Sequence, residues 1–450
     1  MLKGSRGTAI SVIDSDSSRS VKLALEALPL IAKGASERGA ILHAIEQQPS
    51  LADVKREALS LVLESQEEQD LLDRLIRDGL PDKRVAAKAL ALYRLATHLM
   101  LQAHDRERIR QIERTMRSFA ASERLPDLEL LLGTLVAIDP NSKWPNLTDS
   151  EKVGLNTHHT AWWVEYCFRL FGRAEAIRLL SADHRPRYVR VNPLRNRGRT
   201  SLPVEVKRLS STLTKVEPEP GVFTVDGSPS ALSDFFSEGL FQMQDMASFL
   251  AVRAADPKPG DNVLDVCSAP GGKTATLAQF MKNRGRIVSV DYSRGRMLSW
   301  RREVSRLGVR IAEPLIADAT GLSLRGTFDL VLIDPPCSGT GIFDRNPSMK
   351  WHLTPESIVR YSRIQQQILD SVSPLLSEQG RILYCTCSLT LEENETVVST
   401  FLKSHPEFET RPILENYGSP GLSGLSDCRR LWPHHDRTAG YFIARMQRVA

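Results

Sequence analysis

The segment Asn262-Val263-Leu264-Asp265-Val266-Cys267-Ser268-Ala269-Pro270-Gly271-Gly272-Lys273-Thr274 runs from an apolar strand into a glycine turn and then a helix starting near Lys273. Glycines let backbone approach a ligand, and a helix N-terminus offers free N–H groups to an anionic group. The spacing is neither a Walker A loop, which needs four residues between its first glycine and Gly-Lys, nor G-x-G-x-x-G. Nucleotide hydrolysis and dinucleotide oxidoreduction thus lose their main support. A carboxylate-bearing cofactor such as S-adenosyl-L-methionine suits the turn better, with the backbone of Cys267, Ser268, Ala269, Pro270, Gly271, Gly272 and Lys273 as its cradle.

Acidic residues end the next three apolar runs: Asp291 after 287–290, Asp318 after 315–316 and Asp334 after 330–333. In an open α/β sheet ligands bind above the carboxyl ends of the strands. An acid at the second strand suits a ribose diol, and Asp318 suits an adenine amino group. Any one such acid is more often a cap or turn residue; three in order after a glycine turn form a pattern.

Two thiols complete the set. Cys337 lies in Ile333-Asp334-Pro335-Pro336-Cys337-Ser338-Gly339-Thr340-Gly341, and Cys387 in Tyr384-Cys385-Thr386-Cys387-Ser388. Cys385 and Cys387 resemble half a metal site, but no second Cys/His pair with zinc spacing follows, so no metal is expected. Beside a methyl donor, thiols have another use. Carbon 5 of a pyrimidine is a poor nucleophile, and a thiolate adding to carbon 6 makes it enamine-like. A base must then remove the carbon-5 proton so that the thiol can leave. The scheme needs a nucleophile, a group that helps release it and a polar residue on the base edge. Cys387, Cys337 and Asp334 are candidates at converging strand ends.

With these residues in view, the chain from about 150 to its end resembles the Nol/Nop/Sun (Fmu-like) RNA cytosine-C5 methyltransferases. Asp265–Thr274, Asp334–Gly341 and Thr386-Cys387-Ser388 occur in family order, as do Gln244-Asp245, Asn346-Pro347 with Lys350-Trp351, Arg190-Val191-Asn192 and Gly440-Tyr441-Phe442. The resemblance implies a Rossmann-like methyltransferase domain preceded by a small subdomain like an RNA recognition motif. It implies Cys387 as nucleophile and Cys337 as the residue assisting product release. It also implies that Lys273 reaches the target base, that Asp334 serves cofactor and base jointly, and that Asp291 and Asp318 help hold the cofactor. Ser268 and Ala439 depart from the usual alanine and aspartate, away from the proposed chemistry. Residues 71–76 and 89–95 give the N-terminal part a likeness to NusB-like domains of members acting on small-subunit rRNA.

The elements that must carry these residues follow from periodicity. The first 140 residues read as helices, with apolar positions such as Leu72, Leu75 and Ile76 at helical spacing; Ser50 and Asp53 suggest one helix start. Turn-rich residues 139–146 mark a boundary. A helical stretch over 161–180, a strand over 188–191, a helix over 204–213 and a strand over 222–225 make a small α+β unit. From residue 240 short apolar runs at 263–266, 287–290, 315–316, 330–333, 382–384 and 441–444 alternate with helices, the signature of a doubly wound, mostly parallel sheet. The expected class is therefore α/β in three domains: 1–145 all-helical, 146–235 α+β and 236–450 Rossmann-like.

Composition excludes much else. At 41% hydrophobic, 25% charged and 6% aromatic, the chain is neither collagen-like nor wholly disordered. No apolar run approaches the ~18 residues of a membrane span, and Met1 to Ser20 lacks the apolar block of a secretory leader. Unpatterned cysteines fit a reducing, cytoplasmic setting, and a monomer is expected. The net charge of +5 hides segregation: residues 173–215 hold eleven Lys/Arg and three Asp/Glu, and 294–310 six Arg and one Glu. Such stretches favour a polyanion, here rRNA or tRNA, without a membrane partner. In 294–310 the residues Met297, Trp300, Val304 and Leu307 form an apolar stripe that turns the arginines outward. His158-His159 and His434-His435 read as surface or capping residues, and Trp162-Trp163 as packing between domains. The rivals are a non-catalytic RNA-binding scaffold and a methyltransferase acting on an amine; turnover independent of Cys387 would favour the latter.

Overall fold

The computed structural model describes residues 15–80, 85, 87–103, 106–123, 127–136, 144, 146–182, 185–196, 198, 201, 213–225 and 232–449. The expected helix over 204–213, apart from Leu213, and the turns at 139–143, 145 and 226–227 lie outside them. The chain forms two compact units, one of Met1–Ser181 with Phe343–His352, the other of Ala182–Ile342 with Leu353–Ala450.

The first unit is helical: α1 (Ser15–Ala32), α2 (Glu37–Gln47), α3 (Lys55–Glu67), α4 (Gln69–Gly79), α5 (Ala87–Leu101), α6 (Arg106–Glu123), α7 (Leu128–Val136), α8 (Asp149–Thr157), α9 (Ala161–Phe171) and α10 (Arg173–Leu180). The apolar spacing works as expected in α4, whose Leu71, Leu72, Leu75 and Ile76 are buried. The start read at Ser50 does not hold. Helix α3 begins at Lys55 behind Val54 without a side-chain cap, because Asp53 is taken by Arg19 through bonds of 2.6 and 2.7 Å. The stretch over 161–180 is two helices, broken at Gly172 with φ +78°. Helices α8–α10 group by compactness with the helices before them.

Trp163 is core to this unit, stacked on Tyr166 at 5.1 Å and edge-on to Phe343 at 6.1 Å. His158 caps α8 in the left-handed region at φ 57°. The Asn346–Trp351 motif is used for packing here. Ser348 N donates to Glu37 at 2.9 Å and Trp351 Nε1 to the Gln66 carbonyl at 2.5 Å, while the buried Lys350 lies 3.8 Å from Glu67.

The second unit holds two sheets. Strands β1 (Arg187–Val191), β2 (Leu213–Lys215), β3 (Val222–Val225) and, after α11 (Ser233–Ser237), β4 (Phe241–Met243) form an antiparallel sheet in the order β2-β3-β1-β4. Then come α12 (Met246–Ala255), β5 (Asn262–Val266), α13 (Gly272–Phe280), β6 (Arg286–Asp291), α14 (Arg294–Arg306), β7 (Ala312–Ile316) and β8 (Phe328–Ile333). Helix α15 (Met349–His352) belongs to the first unit; α16 (Pro355–Val372), β9 (Leu376–Thr386), α17 (Glu395–Ser404), β10 (Phe408–Thr410), β11 (Ser419–Pro420), β12 (Arg429–Leu431), α18 (Pro433–Asp436) and β13 (Tyr441–Arg448) complete the second.

The larger sheet runs β11-β12-β13-β9-β8-β5-β6-β7, parallel from β9 to β7 and antiparallel at β13, with β10 on β13. The chain winds outward from β5 through β6 to β7, then returns to the other side of β5 as β8. The loops after β5 and β8 therefore part in opposite directions, and a crevice opens above their carboxyl ends. This is the Rossmann-like class I methyltransferase architecture expected from the sequence. Its central strands are buried on both faces, as in β5, where Val263, Leu264 and Val266 have no exposed surface.

Candidate active site

The loop from β5 to α13 is set by backbone geometry. Gly271 has φ +105°, and a Cβ there would lie 3.2 Å from the Trp300 ring and 3.3 Å from Val304. Only glycine both adopts that angle freely and lets α14 pack so close. Ser268 N donates to the Val290 carbonyl at 2.9 Å, tying the loop to β6. From below, Gln242 Nε2 donates to the Gly272 carbonyl at 2.7 Å. That glutamine belongs to a buried network around Arg190, which donates to Gln244, Gln242, Thr276 and Gln279 over 2.8–3.0 Å. No side chain caps the start of α13.

Asp265 is fully buried; its Oδ2 accepts from Thr274 at 2.5 Å, while Oδ1 meets no donor among the described residues. Burial raises its carboxyl to about 7. Thr274 in turn accepts from Trp300 Nε1 at 3.0 Å, so the apolar stripe of α14 also fixes the loop from β5 to α13.

Lys273 reaches across the crevice, with Nζ 2.6 Å from Asp334 Oδ2 and over the Tyr441 ring at 5.6 Å. Burial alone would lower its pKa, but the neighbouring Asp334 outweighs that and raises it, so the ammonium stays charged. Asp334 is partly exposed, at 31% of its side chain, and its Oδ1 accepts from Tyr441 at 3.4 Å.

Beside this pair lie the thiols, from the loops after β8 and β9. Cys337 Sγ and Cys387 Sγ are 3.3 Å apart. The Cys387 sulfur, then burial, raise the Cys337 thiol well above the ordinary range. The backbones are joined as well: Gly341 N donates to the Cys387 carbonyl, and Gly440 N to the Gly341 carbonyl, each at 2.9 Å. A Cβ on Gly341 would overlap the Gly440 carbonyl at 1.9 Å. Two glycines are therefore required where these backbones cross.

Residues 252–447 match the family described as 16S rRNA methyltransferase RsmB/F. A Synechocystis protein named probable ribosomal RNA small subunit methyltransferase B is 30% identical over 316 residues, covering 68% of this chain and 70% of that protein. The chain belongs to the RsmB/F family. A Bacillus subtilis family relative of the same name is 37% identical over 219 residues, 48% of this chain and 49% of that protein. A Pyrococcus horikoshii protein named tRNA (cytosine(72)-C(5))-methyltransferase is 33% identical over 215 residues, 48% of this chain and 54% of that protein. The chain thus spans about half the length of these last two relatives. The crystal structure of PH0851 is similar over 96% of this chain and 99% of that one, with TM-score 0.82 and 28% identity.

Within this family member the residues singled out from the sequence divide. Lys273, Asp334, Cys337 and Cys387 come together. Asp291 lies at the end of β6, but its carboxylate is covered and accepts from Ala269 N at 3.3 Å and Ser293 N at 3.0 Å, with Arg296 at 3.2 Å. There it shapes the loop from β5 to α13. Asp318 accepts from Thr320 N at 2.9 Å and Thr320 Oγ1 at 2.8 Å, which lowers its pKa; it caps a turn here. Cys267 contributes a backbone turn at φ +62°, and burial pushes its thiol up, as it does those of Cys167, Cys385 and Cys428.

Cys385 points to the same side as Cys387, 3.9 Å from Asp334 Oδ1 and 3.6 Å from Tyr441 Oη, but is fully buried. Gln244 and Asp245 serve structure: Asp245 caps α12, accepts from Ala439 N at 3.0 Å and pairs with Arg185. The sequence reading missed Glu393, which is fully buried between the two cysteine loops. Its nearest signal was position, six residues beyond Cys387.

The site fits S-adenosyl-L-methionine on two observations. The uncapped start of α13 offers N–H groups to a carboxylate, and Asp265 Oδ1 is an acceptor for which the described residues supply no donor. Residues 267–273 would hold the group.

Proposed function

We propose that the protein methylates carbon 5 of cytosine in RNA, using S-adenosyl-L-methionine and a covalent bond between Cys387 and carbon 6 of the base. The observation that carries this reading is the pair of sulfurs 3.3 Å apart beside the Lys273–Asp334 pair, at the switch point of the sheet. Bound there, the cofactor supplies the methyl group that carbon 5 takes up.

The chain's own residues supply the rest. Cys387 adds to carbon 6 as the thiolate and opens carbon 5 to alkylation. Asp334 and Lys273 present an acceptor and a donor to the polar edge of the pyrimidine. Once a base has taken the carbon-5 proton, the freed electron pair restores the 5,6 double bond and expels Cys387 as the thiolate, a departure that Cys337, lying against the same sulfur, assists. Of the residues proposed for the cofactor, Asp291 acts after a change of partners, since both its oxygens now bond to protein donors, whereas Asp318 is exposed and engages Thr320 through Oδ1 alone.

Small-subunit rRNA is the favoured substrate, supported by the names of the Synechocystis and Bacillus relatives. The Pyrococcus relative makes tRNA the alternative. By its NusB-like resemblance, the helical unit serves RNA binding or an accessory role. The protein acts as a cytoplasmic monomer in this reading; among the described residues no helix is long and apolar enough to cross a membrane.

Bisulfite sequencing of total RNA from a strain lacking the protein tests the proposal. Loss of one 5-methylcytosine from small-subunit rRNA is expected. Loss from tRNA instead would move the substrate, and an unchanged pattern would overturn the reading.

A further inference from the structure

We infer that Glu393 is the positioning residue of the thiol pair: its carboxylate ties the loop carrying Cys337 to the loop carrying Cys387 and so fixes the sulfur-to-sulfur distance. The inference rests on the reading of those two cysteines given above.

Each carboxylate oxygen serves one loop. Oε2 accepts from Ser338 N at 2.8 Å and from Gln365 Nε2 at 3.0 Å. Ser338 directly follows Cys337, and Gln365 Nε2 also donates to the carbonyl of Pro336, which directly precedes it, at 3.0 Å. Cys337 is therefore held from both sides. Oε1 accepts from Ser388 Oγ at 2.8 Å and Thr390 Oγ1 at 2.9 Å, just beyond Cys387. The two loops also meet directly, Ser338 Oγ to Ser388 Oγ at 3.0 Å.

Glu393 is itself anchored. Its carbonyl accepts from Tyr384 Oη at 2.6 Å, Asn394 Nδ2 donates to the Ser388 carbonyl at 2.9 Å, and Arg430, paired with Glu395, donates to the Leu389 carbonyl at 3.0 Å. A carboxylate suits this place because it only accepts, through two oxygens with two lone-pair sites each. All four donors are neutral groups of the protein. The arrangement uses the shape of the carboxylate rather than its basicity, and a displacement near 1 Å at reacting atoms costs rate about 100-fold.

This predicts an order of variants that a proton-transferring acid would not give. In Glu393→Gln the amide oxygen keeps Ser338 N and Gln365, while the amide nitrogen donates to the hydroxyls of Ser388 and Thr390, which turn to accept. Glu393→Asp is one methylene short and reaches only one loop. Glu393→Ala reaches neither.

The test reads the sulfur geometry directly, on the full chain without RNA. Diamide takes up two hydrogens and joins Cys337 to Cys387, and the rate of that cross-link is followed by peptide mass spectrometry. Turnover is measured in parallel on in vitro-transcribed 16S rRNA, with thermal melting as the folding control. Glu393→Gln should stay within a few-fold of the parent on both readouts. Glu393→Asp and Glu393→Ala should slow both about 10- to 100-fold with KM for S-adenosyl-L-methionine little changed. Parent-like rates in Glu393→Asp, or a Gln variant as slow as Asp, would overturn the inference. If Glu393→Ala does not fold, the Asp and Gln variants decide it. Cys387→Ala, assayed alongside, separates the two claims. Retained turnover there rejects the nucleophile, while the cross-linking series still decides what Glu393 does.

Discussion

Cys337 Sγ lies 3.3 Å from Cys387 Sγ, although 50 residues separate them in the chain. The contact follows from topology: β8 and β9 are parallel neighbours, so the loops leaving them emerge side by side. The Cys387 sulfur and burial raise the Cys337 thiol well above its ordinary range, and the proposed mechanism takes Cys387 as the nucleophile.

The first prediction is therefore an asymmetry between two alanine variants. Cys387→Ala should abolish transfer of a labelled methyl group to in vitro-transcribed 16S rRNA. Cys337→Ala should still attack but release slowly, and so accumulate a protein–RNA adduct that survives a denaturing gel. Normal turnover in Cys387→Ala would refute the assignment.

A second prediction concerns the cofactor loop. In Gly271→Ala the new Cβ meets Trp300 and Val304 at 3.2–3.3 Å while the backbone holds φ at +105°. Strain of this kind costs about 1–3 kcal/mol. Isothermal titration should show weaker binding of S-adenosyl-L-methionine, and thermal melting a lower Tm. Parent-like values for both would show that the loop relaxes freely.

Much of this site was legible before folding, for a physical reason. Strands such as 263–266 and 330–333 are buried on both faces and declare themselves as unbroken apolar runs, and chemistry placed at their ends inherits the sheet's order. Edge strands declare less. In β7 only Leu315-Ile316 stood out, because Glu313 and Pro314 face water. Glu393 was invisible because its burial depends on donors 55 and 28 residues away. Charge counts mislead for a similar reason. Arg190 and Arg185 lie in the most basic stretch yet are buried, and Arg195 donates to the carbonyls of Arg306 and Ser305. These arginines brace the fold, and a phosphate-binding face must draw on others.

A third prediction uses Asp265, whose carboxyl burial raises from 3.8 to about 7. The unfolded chain releases this proton near pH 4, whereas the native state holds it to about 7. Stability contributed by this group therefore falls as pH rises from about 4 to 7 and stays lost above it. Asp265→Asn removes that slope, so its Tm relative to the parent should improve between pH 4 and pH 8. An unchanged difference across that window would count against a buried acid with a raised pKa.

The fourth lies in the helical unit, where His98 is buried between two acids, Nδ1 2.8 Å from Glu68 and Nε2 3.2 Å from Glu64. Burial alone would lower its pKa, but the two carboxylates more than offset that and raise it to about 9, from 6.5. The native state thus holds a proton that the unfolded chain has already lost at neutral pH. The stability this contributes, of the order of a few kcal/mol, is fully present below about pH 6.5 and disappears as pH rises through 9. Chemical denaturation followed by helical circular dichroism should show that loss between pH 6.5 and 9 in the parent. His98→Gln, which carries no proton to lose, should start less stable at pH 6 and change less over the same interval. Parallel pH profiles for the two proteins would mean that His98 is neutral in the native state.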